Sequence, residues 1–453
     1  MKTYKCFFLC IGLLIAMMQL KAQKMDFPGK HWQRFLDPTA AGFSQQGLDS
    51  LQKTLEDYGS GGFLIVANGK IAFEWGENNR RFMQTSVRKS YMSAMVGIYA
   101  DKGKINLNST LADLGIDEVP PLTAIEKQAR VIDLLAARSG IYLPAAYSPR
   151  SMKLPQRGKH RPDEAWLYNN WDFNVLATIF NQNTGKDFFE AFYKEIARPI
   201  QMEDFRLFDC FYRYEKEKSL HPAYLFKLSA RDMARFGLLY LNKGKWKGKQ
   251  IVPEKWVEKS TAIYTKELLP EYSDRGSYGL LWWVKEIQGV TGFYASGAGV
   301  QRIYVIPSMG LVIVHVTNNY QNHSVDDWQV DILLEKVLSA RTGTPQAAAK
   351  TIRFDPLPKN ISAISYSSAK SNKILGDYQE AFLGKISVGL IKNQLILHTQ
   401  VGKFNLFAKD DFTFLIEDLG VEAIFQEGTP EQKRSAKLVV NQDKRIESIL
   451  FYY

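Results

Sequence analysis

Residues 63–75, FLIVANGKIAFEW, hold two apolar runs rich in β-branched and aromatic side chains, joined at Asn68-Gly69. The runs predict two strands, and Asn-Gly suits a two-residue hairpin turn because both positions accept positive φ. Ten residues further on the period changes. After Ser86, Met92, Met95, Val96 and Tyr99 fall on one helical face, which predicts a buried helix opening at that serine. The chain then reads as helices and loops to about residue 260. Strand patterns return in GFYASGAGVQRIYVIP and GLVIVHVT, on either side of a turn at Ser308-Met309-Gly310. Strands at both ends with helices between them predict an α+β fold: an antiparallel sheet flanked by helices, with a helical and loop-rich insertion.

Beyond residue 340 the texture differs. SARTGTPQAAAK and FDPLPKNISAISYSSAKSN are rich in small residues, Pro and Ser, so residues 341–373 read as a linker. Residues 374–453 carry short alternating runs, among them KISVGLI, QLILHT and FTFLIED, and predict a small antiparallel β domain. At the other end, Lys2 and Lys5 precede the apolar CFFLCIGLLIAMMQL, and Ala22 stands near its close. This is the pattern of a secretory leader, residues 1–23, cut after Gln23. The run is short for a membrane span. The expectation is a periplasmic or secreted protein with no integral membrane segment after cleavage and a main domain over residues 24–340.

Composition narrows the class. At 453 residues, 45% hydrophobic and 13% aromatic, the chain can bury a large core and is neither fibrous nor disordered. Its net charge of +11 falls by three when Lys2, Lys5 and Lys21 leave with the leader. The remaining basic residues are scattered and no nucleic-acid-binding motif accompanies them, so nucleic acid is not expected as a partner. Cys6 and Cys10 lie in the leader. Cys210 alone cannot form an intrachain disulfide, and an inert, partly buried thiol is expected there. The six histidines show no metal-ligand spacing, so no metal or other cofactor is expected. Gly-x-Ser-x-Gly is absent, which argues against an α/β-hydrolase.

The candidate chemistry begins at TSVRKSYMSAMVG, residues 85–97. Ser-x-x-Lys occurs three times, at Ser50/Lys53, Ser86/Lys89 and Ser367/Lys370. Ser86/Lys89 alone stands at the head of a buried helix. At a separation of three residues the two side chains share a helix face, so the lysine amine can reach the serine hydroxyl. In an apolar site that amine sheds its charge and can accept the hydroxyl proton, while backbone N–H groups at the helix start can receive an oxyanion. The same residues also fit a helix cap followed by a solvated lysine. Tyr-x-Asn likewise occurs at Tyr168/Asn170, Tyr240/Asn242 and Tyr320/Asn322. Tyr168 lies in the aromatic loop WLYNNWDFN, which can hold a phenol and an amide at a cleft, and YASGAG places Ser296 and Gly297 where backbone can approach a substrate.

In this order, SVRK, YNN and ASG resemble the motifs of the serine hydrolases related to class C β-lactamases and penicillin-binding proteins. Stretches such as VIDLLAARSGIY and LSARDMARFGLLYLNKG extend the similarity over about residues 30–335. The resemblance implies that Ser86 is the acylated nucleophile, Lys89 its proton acceptor, and Tyr168 the group serving leaving group and water. It implies that Asn170 holds Lys89 and the substrate amide. The backbone N–H groups of Ser86 and Ala298 would form the oxyanion hole, and the strand residues Ala295, Ser296 and Gly297 would bind substrate. Ala295 departs from the family, which has lysine or histidine there to bind a substrate carboxylate. Weak or no β-lactamase activity and a preference for neutral esters or amides are therefore expected, unless an arginine such as Arg302 supplies the charge. The substrates implied are small esters, amides or cell-wall-type peptides. A catalytically silent relative that binds cell-wall peptide or glycan is the alternative.

Overall fold

The structure, a computed structural model, describes residues 25–148, 153–317, 325–354 and, with short interruptions, 374–452. Nine strands make the main sheet: β1 (Gln33–Phe35), β2 (Gly62–Ala67), β3 (Lys70–Gly76), β4 (Ser277–Tyr278), β5 (Trp283–Ile287), β6 (Val290–Gly297), β7 (Gln301–Ile306), β8 (Leu311–Val316) and β9 (Thr351–Arg353). Their spatial order is β4-β5-β6-β7-β8-β2-β3-β1-β9. All neighbours are antiparallel except β1 and β3, so the sheet is mixed where the sequence pattern predicts a purely antiparallel one. The β2–β3 hairpin turns at Asn68 and Gly69 with φ of +48° and +80°, the geometry its sequence predicts.

Helices cover both faces. The helix α1 (Gln45–Asp57) is capped by Ser44, whose Oγ accepts the Gly47 N–H. It packs against α5 (Asp327–Ala340). Between them in sequence come α2 (Arg88–Asp101), α3 (Asn170–Thr184) and α4 (Ala230–Leu241). Gly237 of α4 lets the sheet approach: a Cβ there would lie 2.5 Å from Val312 Cγ1 and 2.9 Å from Ile303 Cγ2. Residues 88–99 of α2 are all buried, so the partners of its polar groups come from within the protein. Ser90 and Ser93 do this by donating to the carbonyls of Leu281 and Leu280, each at 2.8 Å.

Strand β9 corrects the expected domain boundary. Residues 351–353 pair with β1, and Phe354, 1% exposed, donates its N–H to the Trp32 carbonyl at 2.8 Å. A segment read as linker thus completes the main sheet, because Thr351-Ile352-Arg353 can pair at an edge without a long apolar run. Residues 355–373 lie outside the described residues. Eight further strands, from Gly376–Glu380 to Arg445–Tyr452, close an antiparallel barrel through the pair Gln379 and Tyr452. Its core, which includes Tyr378, Leu397, Phe404, Phe414 and Phe425, is separate from that of the main domain. The two parts meet where Lys227 Nζ lies 4.0 Å from the centre of the Phe404 ring. Among the described residues no helix is long and apolar enough to cross a membrane. The expected leader lies outside the described residues.

Candidate active site

Ser86 sits in a single 3₁₀ turn, Thr85–Val87, and α2 begins at Arg88, two residues later than the sequence pattern places it. The serine is not a cap. Gln84 precedes the turn without a side-chain cap, and Thr85 holds φ of +45°, an uncommon conformation for a β-branched residue. Lys89 Nζ stands 2.6 Å from Ser86 Oγ and 2.8 Å from the Tyr168 hydroxyl. The amine also lies 4.5 Å and 4.8 Å from the ring centres of Tyr168 and Phe173. The structure therefore brings together the three proton-bearing groups that the sequence motifs single out.

The surroundings set their protonation. Lys89 is 2% exposed, and burial followed by the neighbouring Arg88 charge holds its amine well below the usual lysine value. Burial pushes the Tyr168 phenol up to about 12, against the lowering effects of Ser86, Arg88 and Arg275. The Tyr168 ring packs on Phe173 at 4.9 Å and Trp283 at 5.4 Å, which fixes the phenol over the lysine. Burial thus shifts both groups toward their uncharged forms, an amine that can accept a proton beside a phenol that can give one.

Asn170 does not hold Lys89. Its Nδ2 stands 3.3 Å from both the Tyr147 carbonyl and Ser148 Oγ, and its buried Oδ1 has no partner. As the first residue of α3 it points along the loop at 147–148, and among the described residues the amine's hydrogen-bond partners are Ser86 and Tyr168. The competing motif copies lack such a setting. Ser50 and Lys53 are exposed on α1, while Tyr240 is buried in α4 and Asn242 donates to the Lys245 carbonyl. Ser367/Lys370 and Tyr320/Asn322 lie outside the described residues.

Ser86, Tyr168 and Asn170 open onto a cavity of about 790 Å³, which Ser296, Gly297 and Ala298 at the end of β6 also line. Gly297 makes that approach possible. A Cβ there would lie 2.3 Å from Thr85 Oγ1 and 2.5 Å from the Gln84 carbonyl oxygen. The Thr85 hydroxyl also donates to the Ala298 carbonyl at 3.2 Å, tying the serine turn to the strand.

Ala295 does not face the cavity. Its register partner is Ile303, and both lie on the sheet face packed by α4, where Ala295 is fully buried. Strand alternation turns the next residue, Ser296, the other way, in register with Arg302. Arg302 is 3% exposed; it forms an ion pair with Asp327 and reaches the Gly297 carbonyl at 3.3 Å, behind the cavity wall. The cation beside Ser296 in the cavity is Arg275, whose Nη1 lies 3.3 Å from Ser296 Oγ and which also pairs with Asp327. Two arginines thus share one carboxylate and leave one positive charge in excess. Arg275 carries no sequence signal, because it lies in a turn, Pro270–Arg275, with no periodic pattern and no motif of its own. Arg213, Glu215 and Lys218, which also line the cavity, belong to no motif of the sequence either. No group of three or more His, Cys, Asp or Glu placed to hold a metal occurs among the described residues.

Comparison with known proteins identifies the family. The family model described as beta-lactamase matches residues 48–335, and the chain belongs to that family of serine β-lactamase and penicillin-binding-protein-like hydrolases. An uncharacterised protein of Alkalihalophilus pseudofirmus is 22% identical over 323 residues, 62% of this chain and 91% of that one. Among solved structures, a putative 6-aminohexanoate-dimer hydrolase from Bacillus anthracis shares the fold with a TM-score of 0.53 at 22% identity, covering 70% of this chain and 87% of that one. A putative beta-lactamase from Bacteroides dorei has a TM-score of 0.51 at 17% identity, covering 66% and 100%. The octameric penicillin-binding protein homologue from Pyrococcus abyssi, at TM-score 0.50 and 15% identity, covers 89% of this chain and 99% of that one, a span that reaches into the C-terminal barrel.

Proposed function

We propose that this chain is a serine hydrolase acting on small ester or amide substrates, or on cell-wall-type peptides, through an acyl-enzyme at Ser86. The observation that carries the reading is the placement of the Lys89 amine between Ser86 Oγ and the Tyr168 hydroxyl, at 2.6 Å and 2.8 Å. As Ser86 Oγ attacks the substrate carbonyl carbon, its proton passes to Lys89. Backbone N–H groups of Ser86 and Ala298 receive the oxyanion. Tyr168 gives its proton to the departing alcohol or amine and is reprotonated from the Lys89 ammonium. Water then enters, loses a proton to the same pair and attacks the acyl carbon; the pair returns that proton to Ser86 Oγ as the ester bond breaks and the acid product leaves. A fluorophosphonate should label the wild-type protein once and leave a folded Ser86→Ala variant unlabelled; labelling that persists in that variant rejects the assignment.

The site favours substrates with an acidic group beside the reacting carbonyl. Arg275 and Ser296 supply a cation and a hydroxyl from the cavity wall, which Ala295, facing away from it, cannot, with the excess charge of the Arg275–Asp327–Arg302 cluster behind them. A charge-assisted hydrogen bond is worth roughly 1.5–3 kcal/mol, or about ten- to a hundredfold in binding. An ester bearing a carboxylate should therefore have a higher kcat/KM than its neutral counterpart. Arg275→Gln should erase most of that preference while sparing the neutral ester. A wild-type preference for the neutral ester would return the selectivity to the pattern expected from Ala295. The apolar run at residues 6–20 supports export, which the amino-terminal sequence of the mature protein would test.

A further inference from the structure

The residue between the motif positions, Arg88, is a buried charge with little compensation. Its side chain is 1% exposed, and Nη2 donates to Asn174 Oδ1 at 3.1 Å, while Nε and Nη1 have no partner. No carboxylate pairs with it among the described residues. Its guanidinium lies 4.7 Å from the Tyr224 ring centre and 6.0 Å from that of Tyr147. Faces of aromatic rings attract a cation without neutralising it. Burying a charge on these terms costs stability, and an apolar side chain of similar length would fill the space at less cost.

We infer that Arg88 is a positioning residue for the reaction, a buried cation that keeps the Lys89 amine unprotonated beside Ser86. The inference rests on the serine-hydrolase reading. Two positive charges on adjacent residues in a low-dielectric core repel, so the ammonium form of Lys89 is disfavoured for as long as Arg88 stays charged. The same field favours negative charge on the Tyr168 oxygen, so a single cation promotes proton acceptance by the lysine and proton donation by the tyrosine. The directions agree: Arg88 follows burial as a cause lowering Lys89, and it partly offsets burial at Tyr168.

The other titratable or charged groups around the pair come from separate elements. They are Tyr147 from the loop before α3, Tyr224 from the strand Ala223–Leu225, Tyr272 and Arg275 from the turn before β4, and Tyr278 in β4. The nearby acids are Asp172 of α3, whose charge acts on Tyr278, and Glu215, which accepts the Tyr147 N–H at 3.4 Å, with Arg213 5.5 Å from the Tyr147 ring centre; among the described residues neither acid forms an ion pair with Arg88 or Lys89. Asn174 holds the guanidinium at one nitrogen and donates its own amide to the Ala146 carbonyl at 3.0 Å, which fixes the arginine against the loop carrying Tyr147.

The test is the acid limb of the pH dependence, followed by the fluorophosphonate labelling rate and by kcat/KM for a neutral p-nitrophenyl ester. Arg88→Gln should move the midpoint upward by about one pH unit or more, with the high-pH plateau largely preserved, because removing a like charge raises the lysine's proton affinity. Arg88→Lys should keep the wild-type midpoint. Asn174→Asp, close to isosteric, neutralises the cation without removing it and should shift the midpoint in the same direction as Arg88→Gln, so the test survives if Arg88→Gln does not fold. An unmoved midpoint in folded Asn174→Asp or Arg88→Gln overturns the inference, as does an Arg88→Lys midpoint displaced as far as that of Arg88→Gln. A wild type without Ser86-dependent labelling would instead remove the reading beneath it.

Discussion

Burial of Lys89 does two things at once. It strips the ammonium of water, which makes the neutral amine available as a proton acceptor, and it holds that amine in register with Ser86 and Tyr168. Each proton carrier is expected to contribute on the order of 10²–10⁴-fold. Lys89→Ala and Tyr168→Phe should each lose at least about a hundredfold in kcat, and the double variant should lose far less than the product, since the groups act as a unit. A Tyr168→Phe protein with near wild-type turnover would move the acid role elsewhere. The lowered lysine and raised tyrosine also fix the sign of the pH dependence. Activity should fall on the acid side as the pair takes up a proton, and it should hold on the alkaline side until the phenol ionises. The midpoints belong to the coupled pair and not to either residue. Ser86, Lys89 and Tyr168 were legible in the sequence because their motifs are local. Arg275 and Asp327 were not, since residues 52 positions apart meet only in the folded chain.

At the scale of elements, the site depends on two backbones meeting closely, the serine turn and the end of β6. The contact is made by a residue with no side chain. With Gln84 and Thr85 atoms 2.5 Å and 2.3 Å from where a Cβ would stand, Gly297→Ala must push the strand away from Ser86. Displacements on the order of 1 Å cost about a hundredfold in rate. Gly297→Ala should therefore lose turnover on that scale, with a smaller change in thermal stability. A folded variant with full activity would show that the close approach is dispensable. The strand itself was readable from its alternation, but its parity relative to the cavity was not. A period of two says that residues 295 and 296 face opposite ways, and only packing against α4 decides which of them is inside. That single ambiguity accounts for the misplaced expectation at Ala295. Asn170 was misplaced for a related reason: its position at the head of α3 was apparent, but the loop at 147–148 that claims its amide carries no sequence signal.

For the whole molecule, the strand patterns located the sheet's centre, but its far edge was hidden. Strands of three residues, β1 and β9, lack the length for alternation to show, and their pairing joins residues 33–35 with 351–353. The consequence is that the main domain needs chain beyond residue 340. A protein ending at residue 340 loses β9 and the buried Phe354, a loss on the order of 3–5 kcal/mol if it resembles a large-to-small substitution in a core. It should unfold well below one ending at residue 359, compared by thermal denaturation; both lack the barrel, so the difference reports the segment 341–354, that is β9, Phe354 and the contacts of Arg341, Thr342 and Gln346 with residues 40–43. Equal midpoints would make β9 incidental. The barrel was anticipated from its short alternating runs, and its contact through Phe404 and Lys227 lies next to the strand Phe82–Met83 that leads into the serine turn.

The most direct test of the central claim is to trap the intermediate. The protein is mixed with a p-nitrophenyl ester, quenched in acid within one turnover, weighed intact and digested. A single acyl group should appear on the peptide containing Ser86, form far more slowly in Lys89→Ala, and be absent from Ser86→Ala. An acyl group found on another residue, or ester turnover undiminished in Ser86→Ala, would contradict the account.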